Sequence, residues 1–195
     1  MSTPPDRRTR IVDTAIDLIA TQGLRALTHR ALDAALTLPA GSTSYYFRTK
    51  RALIDAIVDR IHTRSRDDFS ATLRDPAPGT SPGEVARGIA HWLDDLLLHR
   101  RNHLIARHAL IIELADDGNL HPRLVNSLFS PGKARELFAA LGSPTPELDA
   151  ANFLAILEGL LFDRYAGARL HLHAGTTDSI AQLTRAVRLA LHPGQ

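Results

Sequence analysis

Residues 27–57 read LTHRALDAALTLPAGSTSYYFRTKRALIDAI: two short segments of helical spacing on either side of one turn, then a longer one. Thr28 stands before the first segment and suits an N-cap, because its hydroxyl oxygen can accept from the first free backbone N–H groups. Thr37, Leu38 and Pro39 form the turn. Pro39 suits the first turn of the next helix, where its missing N–H needs no intrahelical partner. That helix is short and ends near Tyr46. A fourth starts around Thr49, with Leu53, Ile54, Ile57, Val58 and Ile61 on its apolar face. Phe47 is expected in the core, as a plug that packs the short helix onto longer ones. Two short helices at a tight turn, braced on each side by a longer helix, have helix-turn-helix geometry, in which the second short helix enters the DNA major groove.

Upstream, the spacing predicts a first helix from Asp6 to Thr21, with Ile11, Ala15, Leu18 and Ile19 as its apolar stripe. Arg7, Arg8 and Arg10 precede that stripe, either as a solvated arm or as phosphate or minor-groove contacts. Gly23 is expected to stop the helix in the left-handed conformation. Downstream, breaks fall at DPAPGTSPG (75–83), DDGNLHP (116–122), SPG (130–132), GSPTP (142–146) and AGTT (174–177). They divide the chain into about nine helices, and no segment alternates as a strand does. The expected fold is all-α: an N-terminal helix-turn-helix head over residues 1–64, built on three helices, and a C-terminal helical body over residues 65–195.

The bulk properties agree. The chain has 195 residues, 44% of them hydrophobic and 23% charged, enough to bury a core and too apolar for disorder. It contains no cysteine, which excludes disulfides and thiolate metal sites and fits a reducing compartment. The first ten residues lack the apolar run of a secretory signal, and no segment reaches the ~18 apolar residues of a membrane helix. A soluble, cytoplasmic protein is expected, with no membrane partner. Net charge is only +2, but it is uneven. Ten Arg and Lys face six Asp and Glu up to residue 65, and thirteen face fifteen beyond it. A basic head on a mildly acidic body suits a polyanionic partner at the head.

The same 27–57 segment resembles the DNA-binding head of the tetracycline-repressor (TetR) family of bacterial regulators. The opening Thr, the short third helix ending in an aromatic at Phe47, Lys50 just beyond it and the following RALIDAI carry the likeness. ARHALIIELADDGNLHPRL and LEGLLFDRYAG look like the sixth and eighth helices of members. The resemblance implies these roles. The Thr28 end of the second helix meets a phosphate, since the helix dipole favours an anion there. Arg30 matches a position that reaches a base edge, where a guanidinium suits guanine O6 and N7. Gly41, Ser42 and Ser44 form a slim reading edge, Tyr45 and Tyr46 lie beside it, and Lys50 rests against a phosphate. The double-stranded target is expected to be a palindrome. Three positions depart from the family pattern: Asp33 where Ala is usual, Thr37 where Gly is usual, and Ser44 where Tyr is usual. In a tight helical contact Asp33 needs a partner, for which Arg30 is a candidate, and Thr37 would be strained at positive φ unless it serves as an N-cap.

For the body the resemblance implies ligand binding and dimerisation. Leu154, Leu157, Leu161 and Tyr165 on one long helix, with Leu183 and Val187 on the last, are the expected homodimer interface. Trp92, His108, Glu113, Phe129, Asn152 and Phe153, with Phe138, are expected around a cavity for a small-molecule effector whose identity the sequence does not give. Glu113 and Glu158 sit in apolar runs and call for a cation or hydrogen-bond donor, either an arginine such as Arg107 or Arg164 or a cationic or hydroxylated ligand. His99 and His103 share a spacing of four that zinc can use, but no HExxH accompanies them, so no metal and no cofactor are expected. No nucleophile–base pair or carboxylate pair at useful spacing points to an enzyme. The function expected is a homodimeric, ligand-controlled transcriptional regulator, a repressor; the rival is an all-α ligand-binding protein whose head no longer reads DNA.

Overall fold

The structure, a computed structural model, describes residues 6–72 and 81–191, and the side chains among them outside 66–72. The first part of the break expected at 75–83 therefore lies outside the described residues. Ten α-helices, one 3-10 turn and no strand occur among the described residues. They fall into two compact units, Met1–Arg66 with Asn102–Leu128, and Asp67–Arg101 with Phe129–Gln195.

In the first unit α1 spans Arg7–Gln22, with Asp6 accepting the Thr9 N–H at 2.7 Å as N-cap. Its stripe, Ile11, Val12, Ala15, Ile16, Leu18 and Ile19, is buried. Gly23 ends the helix at φ 80° and ψ 166°. The φ is positive as expected, but the ψ is extended, so the stop is not left-handed helical. A 3-10 turn, Leu24–Ala26, leads to α2, His29–Ala35, whose Thr28 cap accepts from the Ala31 N–H at 3.1 Å. Next come α3, Ser42–Tyr46, and α4, Lys50–Thr72, the latter started by Thr49 Oγ1 on the Ala52 N–H. After a passage through the other unit the chain returns with α6, Arg101–Glu113, and α7, Leu120–Val125. Leu104, Ala106 and Leu110 of α6 and Leu120 and Leu124 of α7 are buried, and most of them join one core with α1, Leu27, Leu32, Phe47 and the apolar face of α4.

Charges tie the surface of this unit. Arg60 grips Asp13 through Nε and Nη2 at 2.7 and 2.8 Å, joining α4 to α1. Two pairs, Arg51–Asp117 and Arg123–Asp59, join α4 to the ends of α7. Asp117 also accepts the Asn119 and Leu120 N–H groups that open α7. Arg51, followed by those N–H groups, holds its carboxyl at about 2. Arg107, 1% exposed, donates to the Leu124 and Val125 carbonyls and to Ser127 Oγ. Glu113, for which Arg107 was one expected partner, is exposed and its carboxylate is solvated.

The second unit is built from α5, Pro82–His99, α8, Pro131–Ala140, α9, Pro146–Tyr165, and α10, Thr177–Ala190. Ser81 and Glu84 form a capping box at the start of α5, and Ser130 and Thr176 cap α8 and α10. α10 packs on α5, and α8 on α9. Arg100 leaves helical geometry between α5 and α6, so His99 and His103 do not share one helical face despite their spacing.

Candidate nucleic-acid interface

A five-residue helix is too short to persist by its own hydrogen bonds, so α3 must be held from outside. One hold is apolar: Phe47, immediately after it, is 1% exposed and sits in the core, as its plug role requires. The others are polar and come from α2 and α1.

The N-cap of α3 is Gly41, at φ 87° and ψ −5°, which has no side chain to satisfy the helix's first N–H groups. Pro39 lies before the helix, not in its first turn, and its carbonyl accepts from the Ser42 N–H at 3.1 Å. The missing cap is supplied by Asp33 of α2. Its Oδ2 accepts the Gly41 N–H at 2.8 Å, and its Oδ1 accepts both the Thr43 N–H at 2.8 Å and the Thr43 hydroxyl at 2.6 Å. Asp33 is 5% exposed and Thr43 fully buried. The Thr43 hydroxyl first, then the Thr43 and Gly41 N–H groups and nearby His29, hold its carboxyl below the ordinary carboxylate range. The partner of Asp33 is thus the start of α3 and not Arg30, and it joins the two helices. The backbone of Asp33 acts as well, its carbonyl accepting from Leu38 N–H at 2.8 Å. Thr37 adopts φ 54°, so it takes the left-handed conformation that was expected to be strained and is not an N-cap.

At the other end, Arg8 of α1 donates to the Tyr46 carbonyl at 3.2 Å and lies 4.3 Å from the centre of the Phe47 ring. Arg8 is therefore engaged within the protein, which neither expectation for the basic arm included. An anion at the start of α3 and a cation at its end both oppose the helix dipole.

The remaining surface around α3 is open. Thr28, Arg30, Gly41, Tyr45, Tyr46 and Lys50 are exposed, Tyr45 at 82% and Tyr46 at 36%. The two tyrosine rings meet edge to face at 5.4 Å. Ser42 and Ser44 are half-buried and donate to the Pro39 and Gly41 carbonyls at 2.7 Å, which leaves their oxygens to accept. All eight residues assigned to DNA thus lie on or beside the short helix pair. Nothing local marked Asp33 as the cap; the available signal was a helix opening on glycine, which must borrow its cap.

In the second unit Trp92 and Phe129 meet edge to face at 5.6 Å, and Phe138 and Phe153 at 5.5 Å. All four are buried, whereas Asn152 is exposed on α9. His108, half-buried with Nδ1 3.1 Å from the Leu104 carbonyl, and Glu113 belong to the first unit. A cleft of about 840 Å³ runs between α5 and α10, lined by Arg87, Ile180, Thr184, Arg185, Arg188 and Leu189, none of which was expected to bind a ligand. Of the expected dimer residues, Leu157, Leu161, Tyr165, Leu183 and Val187 are buried within one protomer, and only Leu154 is half-exposed. Those five fill the core of a single protomer. Among the described residues, no helix is long and apolar enough to cross a membrane and no three His, Asp or Glu residues gather as a metal site.

Residues 11–57 match the family model described as bacterial regulatory proteins, tetR family, and residues 80–193 match that of the tetracyclin repressor-like C-terminal domain. Among solved structures, the chain is similar to a transcriptional regulator of Rhodococcus sp. Rha1, with TM-score 0.72, 19% identity, and 95% of this chain and 94% of that one covered. It is also similar to a TetR-family member of Streptomyces coelicolor A3, with TM-score 0.64, 23% identity, and coverage of 93% and 98%. A third likeness is to the multidrug binding protein EbrR complexed with imidazole, with TM-score 0.56, 25% identity, and coverage of 94% and 96%. No curated protein matches the chain in sequence.

Proposed function

The chain belongs to the TetR family of bacterial regulators, which are not enzymes, and on that premise we propose that it is a repressor that binds a palindromic operator as a homodimer under the control of a small-molecule ligand. Residues 1–64 would read DNA in the cytoplasm, and residues 65–195 would bind the ligand and the second copy. The observation that carries the reading is α3: a five-residue helix with a Gly-Ser edge, fixed over the core, with Arg30, Tyr45 and Lys50 exposed around it. Two such readers on a two-fold axis suit half-sites about 34 Å or more apart.

For the second copy, the exposed face of α9 is the better candidate than the residues singled out by hydrophobicity. Leu148, Ile156 and Phe162 are 59, 43 and 45% exposed there, beside the small residues Ala151, Ala155 and Gly159. For the ligand, EbrR supplies an analogy, a protein similar in fold that is described as a multidrug binding protein. The two aromatic pairs, Trp92 with Phe129 and Phe138 with Phe153, support an apolar, aromatic effector. The rival reading, a head that no longer reads DNA, rested on Asp33 and Thr37 as defects. Asp33, satisfied by three hydrogen bonds, is no defect, and only Thr37 at φ 54° still speaks for that rival.

The test is binding to duplexes from the intergenic regions flanking its own gene. Arg30→Ala should cost about 1–3 kcal/mol on the operator and relax one base position. Lys50→Ala should weaken all sequences alike and flatten the salt dependence. Equal behaviour of the two variants would break the role assignment, and absence of any specific binding would break the function.

A further inference from the structure

The reading edge of α3 faces solvent, but what fixes its direction lies behind it. Three hydrogen bonds cross from one carboxylate on α2 to residues eight and ten places further along the chain. They land on the N-cap and the second residue of a helix only five residues long. The turn between, which passes through Thr37 and Gly41 at positive φ, is itself tied to Asp33 through the Leu38 N–H. At the far end the last helical carbonyl and the following ring are both held by Arg8, 38 residues upstream. A rotation of α3 on its bed of Phe47 would have to break one of these two holds.

Resting on the DNA-reading role above, we propose that Asp33 is a positioning residue for recognition: with Arg8 as the opposing hold, it fixes the angle of α3 and thereby which bases the Gly41–Ser42–Ser44 edge meets. Asp33 is buried beneath that edge, so it acts through Thr43 and Gly41 and not by touching DNA. The carboxylate is suited to this because it only accepts, and all three groups it meets are donors. Shifts of about 1 Å in a recognition element are large on the scale of a base contact.

The experiment selects binding sites from a randomised duplex pool with the full-length protein and its Asp33→Ala, Thr43→Val and Thr43→Ser variants. Affinity for the selected site and for an unrelated duplex is then measured on the same samples, together with thermal unfolding. Asp33→Ala should bind the wild-type site about tenfold or more weakly, comparable to the loss of one base contact, and select an altered motif. Its affinity for the unrelated duplex and its salt slope should stay unchanged, which a merely unfolded or destabilised head would not allow. Thr43→Val, which removes one of the three bonds, should fall between, and Thr43→Ser should restore the wild-type motif. If Asp33→Ala does not fold, Thr43→Val decides. An unchanged motif at unchanged relative affinity in the folded variants overturns the positioning role while leaving the DNA-reading function standing. A wild-type protein that selects no motif overturns both.

Discussion

Two buried aspartates, Asp33 in the head unit and Asp94 in the body unit, hold their segments by nearly the same bonds. Each is 5% exposed and accepts, at 2.8 Å, the N–H of a glycine at positive φ, Gly41 or Gly175. Each also accepts a hydroxyl at the start of the helix that follows, Thr43 on α3 or Ser179 on α10. The difference lies one bond further out. Ser179 accepts at 2.7 Å from Arg164, itself 5% exposed, whose guanidinium also donates to the Leu172 carbonyl. Burial pulls Arg164 below its ordinary value, and Asp94 opposes that pull. The body aspartate thus belongs to a charge-balanced network, and the head aspartate meets neutral donors beside exposed Gly41. One motif serves to lock a core in one unit and to aim a surface in the other.

That contrast can be broken by measurement. The largest effect is expected for Asp94→Ala, about 3 kcal/mol of unfolding free energy, because it removes the larger of the two carboxylate contributions, Asp94 and Asp163, that offset burial of the Arg164 guanidinium. Adding Arg164→Met should recover much of the loss in the same denaturant titrations; a single variant as stable as wild type would remove the network from the argument. Asp33→Ala should cost less, about 1–3 kcal/mol, since the donors it abandons are neutral and no buried charge is left behind. A cost equal to that of Asp94→Ala would make the two sites alike after all.

Acid sharpens the comparison further. The folded carboxyl of Asp33 lies below its unfolded value, so the stabilisation it brings is fully present above the unfolded pKa of about 3.9 and is lost as pH falls through the folded one. The gap in stability between wild type and Asp33→Ala should therefore be flat from pH 7 to 5 and close below about pH 4. A gap that closes already between pH 7 and 5 would mean that a group other than the Asp33 carboxylate governs the hold. The smallest effect is expected at Thr37→Gly, a gain of about 1 kcal/mol or less, as relief at φ 54° is offset by the freer unfolded chain.

What the sequence made legible were the local signals. Thr28 as a cap, Phe47 as a plug and the division into helices follow from residues within a turn or two of each other. Contacts across long separations were not legible. Asp33 had no local mark distinguishing Arg30 from Gly41 and Thr43 as partner, and Arg8 meets Tyr46 only after α1 is folded. Leu157, Leu161, Leu183 and Val187 were assigned to a dimer because an apolar face reads the same whether it meets its own protomer or a copy. Pro39 missed its helix because Gly41, at positive φ, starts α3 two residues later.

The first unit takes up the chain twice, at Met1–Arg66 and again at Asn102–Leu128. Leu110, Leu120 and Leu124 from the second visit share a core with Ile16, Phe47 and Ile57 from the first. On a ribosome, the first visit emerges well before the residues that complete its interior. The head therefore waits, with apolar surface uncovered, until about residue 128 is made, and a fragment cut after α4 would lack one wall of its core.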